Sequence, residues 1–379
     1  MKAEKSKPID AQHTVAFVLQ GGGALGAYQA GACEALADHA RQPDWVAGIS
    51  IGAVNAAIIA GNPPEQRIER LRAFWERVSG QLPSLPWIKP TNQTRPWLHE
   101  WSAAWGVMFG LPGFFSPRPG AMWPGPTDNP SYYDTSPLSE TLVELVDFDR
   151  LNDGPMRISV GAVDVQNGNF AYFDNRHGRL GPQHIMASAA LPPGFPAVEV
   201  HGRSYWDGGL VSNTPLSHIV ENLSGEDATI FQVDLFSARG DLPRTLAQVA
   251  EREKDIRFSS RTRLVTDMLR DRHELHRRIR ALGAMLPAAR RADPAVQQLL
   301  AGTDDTSVTL VHLIHRHKGG ESQTKDYEFS RATMLEHWQC GITDMGHSLR
   351  SLAAAPASAE RGSFRVFDYH PRTSEGASR

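Results

Sequence analysis

Hydrophobic and polar positions along this chain change rhythm every few residues, and the changes mark out alternating elements. Residues 14–19 (TVAFVL) form a short apolar run with β-branched members, which stops at Gly21, Gly22 and Gly23; residues 24–37 then have helical composition. Residues 45–49 repeat the strand pattern and end at Ser50. A small-residue helical stretch follows over 51–60 and stops at Gly61, ahead of Pro63 and Pro64. Two strand, turn and helix units in such quick succession predict a mainly parallel sheet with helices on its faces.

The rhythm continues downstream. Residues 157–164 (RISVGAVD) and 169–174 (NFAYFD) read as strands joined by a turn at Asn167 and Gly168. A helix over 184–191 closes at Pro192 and Pro193, a short strand over 204–206 runs into Asp207, Gly208 and Gly209, and 228–236 (ATIFQVDLF) has the composition of a buried strand. Residues 242–291 are helical and rich in arginine; a solvated helix face accounts for that excess, and so does an anionic partner such as lipid headgroups. A strand over 307–315 and a helix with Ser330 as its N-cap, running toward 352, come last.

Between 80 and 130 the pattern breaks into Trp, Phe, Pro and Gly, which suits either a loop packed over the core by its own aromatics or a lid facing a substrate. The expected organisation is a catalytic unit over 14–240 carrying that insertion, and a mostly helical C-terminal extension over 241–355 with one late strand. The segments 1–13 and 356–379 are expected to be flexible tails.

Composition narrows the function classes. A formal net charge of -3 gives no general attraction for nucleic acid. Two cysteines far apart, Cys33 and Cys340, build neither a disulfide framework nor a thiolate metal site. The polar N-terminus lacks the apolar core of a secretory signal, and the longest apolar stretch, 46–60, is too short to span a bilayer. A cytoplasmic protein is expected, meeting membrane, if at all, from the surface.

Candidate chemistry sits in the turns. Gly48, Ser50 and Gly52 spell GxSxG between a strand and a helix, where flanking glycines permit the tight turn that exposes a nucleophilic hydroxyl; a serine that merely caps the next helix gives the same letters. The run QGGGALG opens a helix with backbone N–H groups suited to a developing negative charge. Its Gly21, Gly23 and Gly26 also spell GxGxxG, a dinucleotide fingerprint, but the second strand ends in Ser50 rather than in the acidic residue that would hold a ribose. A serine nucleophile needs a base. His312, His315 and His317 are late histidine candidates, and HLIHRH is a weak metal motif without a nearby carboxylate or cysteine.

GGGALG, GISIG and WDGG, in this order, resemble the motifs of the patatin-like phospholipase family, and MASAALPPGFPAVEVHGRSYWDGGLVSNTPL resembles the family's stretch around its aspartate. The resemblance covers 14–235. It implies a three-layer αβα patatin-like fold and a Ser-Asp dyad without histidine: Ser50 as nucleophile, Asp207 as base, and Gly21, Gly22 and Gly23 as oxyanion donors. Gly26, Gly48, Gly52, Gly208 and Gly209 would support the motifs. The family often carries a basic residue where this chain has Leu25, which bears on phospholipid as the substrate. The implied activity is hydrolysis of lipid acyl esters through an acyl-enzyme, with no metal or organic cofactor. Soluble or oligomeric hydroxyacid esters are the alternative substrates, and a non-catalytic lipid or nucleotide binder is the alternative of another class.

Overall fold

The computed structural model describes residues 13–37, 42–79, 104–106, 108–119, 130–223, 225–303, 305–316, 325–355 and 361–368. Its eleven strands are β1 (His13–Leu19), β2 (Trp45–Ile49), β3 (Ser116–Pro117), β4 (Tyr133–Asp134), β5 (Arg157–Asp164), β6 (Phe170–Asp174), β7 (Val198–Val200), β8 (Arg203–Asp207), β9 (Asp227–Asp234), β10 (Val308–Ile314) and β11 (Phe364–Asp368). The helices used below are α1 (Gly26–Ala37), α2 (Ile51–Ala60), α3 (Pro64–Val78), α4 (Pro182–Ser188), α5 (Leu216–Glu221), α6 (Leu246–Met285) and α7 (Arg331–Ala354).

Nine strands make one sheet in the order β11-β10-β9-β1-β2-β5-β8-β7, with β6 also paired to β5. From β11 to β5 every neighbour is parallel; β6 and β8 both run antiparallel to β5. Alternation along a strand sends successive side chains to opposite faces. Thus Phe17 and Leu19 of β1 join a core with α1, α2, α3 and α7, while Ala16 and Val18 pack with Leu216, Ile219 and Val220 of α5 and Leu269 of α6. Helices cover both faces, and the expected three-layer architecture with a mainly parallel sheet is what the chain adopts.

Two departures concern the C-terminal part. The segment 356–379, expected to be a flexible tail, contains β11, which pairs in parallel register with β10 from Val308–Phe364 to His312–Asp368. Its first described tail residue at the other end, His13, already belongs to β1. The expected boundary at 240 does not divide the sheet either, because β10 and β11 extend the sheet that β1 and β9 begin. Most of the 80–130 insertion lies outside the described residues; its described part includes Phe114, buried in the core, and Phe115 packed against it.

Candidate active site

Strand β5 is the template on which the site is assembled. Along one edge, Ile49 at the end of β2 stands opposite Gly161, and Asp207 at the end of β8 stands opposite Ala162. The other edge of these same two residues is taken by Tyr172 and Ala171 of β6. The ends of β2 and β8 therefore meet at consecutive positions of one strand. That register brings Ser50 and Asp207, 157 positions apart in sequence, to the wall of a single cavity.

Ser50 itself has φ 56° and ψ −125°, a conformation that a side-chain-bearing residue adopts at a cost of about 1–3 kcal/mol. Its neighbours enforce it. A Cβ on Gly48 would lie 2.2 Å from the Gly52 carbonyl oxygen, and one on Gly52 would lie 2.3 Å from that of Leu19, so the elbow closes only with bare backbone at both positions. Ser188, the last residue of α4, fixes the turn from outside: its hydroxyl donates to the Gly161 carbonyl at 2.6 Å and accepts the Ser50 N–H at 3.1 Å. The Ser50 side chain makes no cap hydrogen bond to α2, so the bland alternative of a capping serine does not describe it.

Asp207 is almost wholly buried. Its Oδ1 accepts the Gly209 N–H at 2.7 Å, and its buried Oδ2 takes no hydrogen bond among the described residues. Burial pushes the carboxyl up to about 7, against the opposing pull of the adjacent Ser50 hydroxyl and the Gly209 N–H. Gly208 lies where a Cβ would strike the Gly161 carbonyl, which lets the chain leave β8 flush against β5.

The glycine run lies directly beside the serine, since a Cβ on Gly21 would be 2.9 Å from the Ser50 Cβ. The Gly21 N–H, expected to be a free donor, is bonded to the Asn213 carbonyl at 3.2 Å, and the Asn213 side chain returns a hydrogen bond to the Gly21 carbonyl at 3.0 Å. Gly21 therefore does not offer the free N–H expected of it. The N–H groups of Gly22 and Gly23 take no hydrogen bond among the described residues. Gly23, at φ 55°, stands so close to the Asp326 carbonyl that only glycine fits, and that carbonyl accepts the Ala24 N–H at 2.9 Å. Gly26 is packed between Ile51 and Trp75.

Around these groups lies a cavity of about 310 Å³. Phe115, Tyr133 and Phe195 pack ring to ring along it, and Phe236, Phe258 and Phe329 line it from the C-terminal half. A larger charged cleft of about 1210 Å³ between α6, β10 and β11 contains neither Ser50 nor Asp207. His312 lines that cleft, bonded to Asp234 and, at 2.9 Å, to Asp368. Buried His315 stacks edge-on against Tyr28 and His337, so neither histidine reaches Ser50's cavity; His317 lies outside the described residues. No cluster of groups able to hold a metal occurs among the described residues.

Ser188, Asn213 and Asp326 are the supporting residues that sequence reasoning missed. Ser and Asn in a helix end and a loop look generic, and Asp326 approaches the glycine run from three hundred positions away, which no local pattern encodes.

No curated protein is similar enough in sequence to match. Among solved structures, VipD from Legionella pneumophila aligns at 13% identity over 90% of this chain and 67% of its own, with a TM-score of 0.41. A family model described as patatin phospholipase matches residues 256–358. Another, described as patatin-like phospholipase, matches residues 17–220, more than half of the chain and a span that includes Ser50 and Asp207. The chain therefore belongs to the patatin-like phospholipase family, which makes it a lipid acyl hydrolase in general terms.

Proposed function

We propose that this chain hydrolyses lipid acyl esters with Ser50 as nucleophile and Asp207 as its base. The observation that carries this reading is the buried, partnerless Oδ2 of Asp207 beside the Ser50 hydroxyl, at the wall of an apolar cavity. An unpaired buried acceptor is costly. Taking up the serine proton relieves that cost.

In the first step the Ser50 Oγ bonds to the acyl carbonyl carbon, and its proton passes to Asp207 Oδ2. The negative charge that develops on the carbonyl oxygen is received by the N–H groups of Gly22 and Gly23. The alcohol then leaves with the proton from Asp207, and the acyl group remains on Ser50. Water attacks that ester, gives its proton to Asp207, and Ser50 departs with the proton restored. The scheme uses only groups of this chain. The ring-lined cavity suits an alkyl chain. No described helix is long and apolar enough to cross a membrane.

Intact-mass analysis after treatment with a fluorophosphonate tests the nucleophile. Wild type should gain one adduct and Ser50→Ala none, with unchanged thermal unfolding. Equal labelling of both, or undiminished ester turnover by the variant, would sink the assignment. Lipid as the substrate class predicts that turnover rises steeply once an ester forms micelles or vesicles; equal rates on dissolved short esters, hydroxyacid oligomers included, would move the substrate to the soluble class.

A further inference from the structure

The long helix α6 runs for 40 residues, about 60 Å at 1.5 Å per residue. One face packs on the sheet: Ser259, Thr266, Leu269 and His273 are buried there. Leu264, Met268, Leu275 and Leu282 are each more than half exposed. At 100° per residue these four fall within an arc of about 40°, opposite the packed face. Their spacing of four, seven and seven positions is that of a seam between two helices rather than of scattered surface residues.

We infer that this stripe pairs with the same stripe of a second copy, antiparallel, about a two-fold axis at Leu275. In that arrangement Leu275 meets Leu275 of the second copy, and Met268 and Leu282, each seven positions from the centre, meet each other twice. A closed two-fold contact requires a surface complementary to itself, and this row satisfies that requirement. Charge selects the direction. Asp271 and Arg278 lie on the same face, on opposite sides of Leu275, and both are exposed. Antiparallel pairing sets Asp271 alongside Arg278 of the second copy at both ends; parallel pairing would carry the Asp271 and Arg278 of the two copies to opposite flanks of the seam, where they do not meet. Asp271 makes no ion pair among the described residues, whereas Arg278 bonds Glu274 of its own helix.

A lipid surface is the other occupant that an exposed apolar stripe on a helix suggests. The stripe's side of the helix is mixed in charge: by the same angular count Glu253, Asp267 and Asp271 lie among Lys254, Arg257, Arg261, Arg272 and Arg278, of which Lys254 and Arg272 already pair with Asp326 and Glu221. The heptad spacing and the reciprocal Asp271 and Arg278 contacts single out a second copy as the occupant.

The test is light scattering and cysteine cross-linking of the full chain. Wild type should elute as a dimer at micromolar concentration, and Leu275→Glu as a monomer with an unchanged melting temperature. In a Cys340→Ser background, with Cys33 buried, Leu275→Cys should form a disulfide-linked dimer under mild oxidation. Met268→Cys alone should not, while Met268→Cys combined with Leu282→Cys should. Asp271→Arg and Arg278→Asp should each weaken the dimer at least tenfold, and the double exchange should restore it. A monomeric wild type overturns the inference, as does cross-linking by Met268→Cys alone, which would mean parallel pairing. Binding of monomeric wild type to phosphatidylglycerol vesicles, lost in Leu275→Glu, would assign the stripe to lipid instead.

Discussion

An aspartate buried against glycines and aromatic rings destabilises the fold once it is charged. With the Asp207 carboxyl at about 7 in the folded chain and near 3.8 when unfolded, the folded state holds the extra proton between those values. Stability contributed by this group therefore falls as pH rises from about 4 to about 7. Asp207→Asn should melt at a higher temperature than wild type at pH 8, by the equivalent of up to about 4 kcal/mol, and the gain should vanish near pH 4. The same variant should lose activity about a thousandfold or more. In wild type, kcat/KM should rise with pH through an apparent pKa near 7, because only the ionised carboxylate accepts the serine proton. A pH-independent profile, or a variant less stable at every pH, would contradict this role. At this scale Ser50 stood out as a candidate because an elbow demands glycines at fixed offsets, which makes a motif, and Asp207 only through the resemblance that WDGG carries. Ser188 and Asn213 were not, because a single hydroxyl or amide that grips a backbone carbonyl leaves no periodic trace.

Strand β11 is a five-residue element held at the sheet edge by its backbone and by one charged knot. Burial pushes the His312 imidazole down, but Asp234 and Asp368 outweigh it and lift the pKa to about 9. Such a histidine contributes stability fully below its unfolded value of 6.5 and loses it as pH rises through about 9. Asp368→Asn should therefore lower the melting temperature at pH 7 by an amount that shrinks toward zero near pH 10, measured against wild type at each pH. A deficit constant with pH would show that the knot is not electrostatic. The elements around β1 and β2 were readable from the alternation of apolar and polar runs, and the β5–β6 hairpin from Asn167 and Gly168, where Gly168 takes φ 71°. The final strand was not, because FRVFD is short and sits among small polar residues that dilute its signal, and because its partner β10 lies some fifty positions away.

Across the whole molecule, the part expected to be an extension is built into the catalytic half. Helix α7 crosses α1, the helix that the glycine run opens, at two facing glycines. A Cβ on Gly31 would lie 1.9 Å from the Trp338 carbonyl oxygen, and one on Gly341 would lie 2.0 Å from that of Tyr28. Gly341→Val should wedge the pair apart and cost about 3 kcal/mol, read as a lower denaturant midpoint together with lost ester turnover. Unaltered stability would mean that the crossing has slack. Composition alone suggested a boundary near 240, since arginine-rich helix replaces apolar strand there, but composition does not reveal that β9 lies beside β1. This placement has a consequence for synthesis. Strand β1 leaves the ribosome more than two hundred residues before β9, which flanks it in the sheet, and α7 follows later still. The proposed nucleophile at position 50 is thus made early and its sheet completed late, so a chain cut short before β9 carries Ser50 in an unfinished sheet. Topology by itself would then withhold the proposed activity until β9 and α7 have emerged.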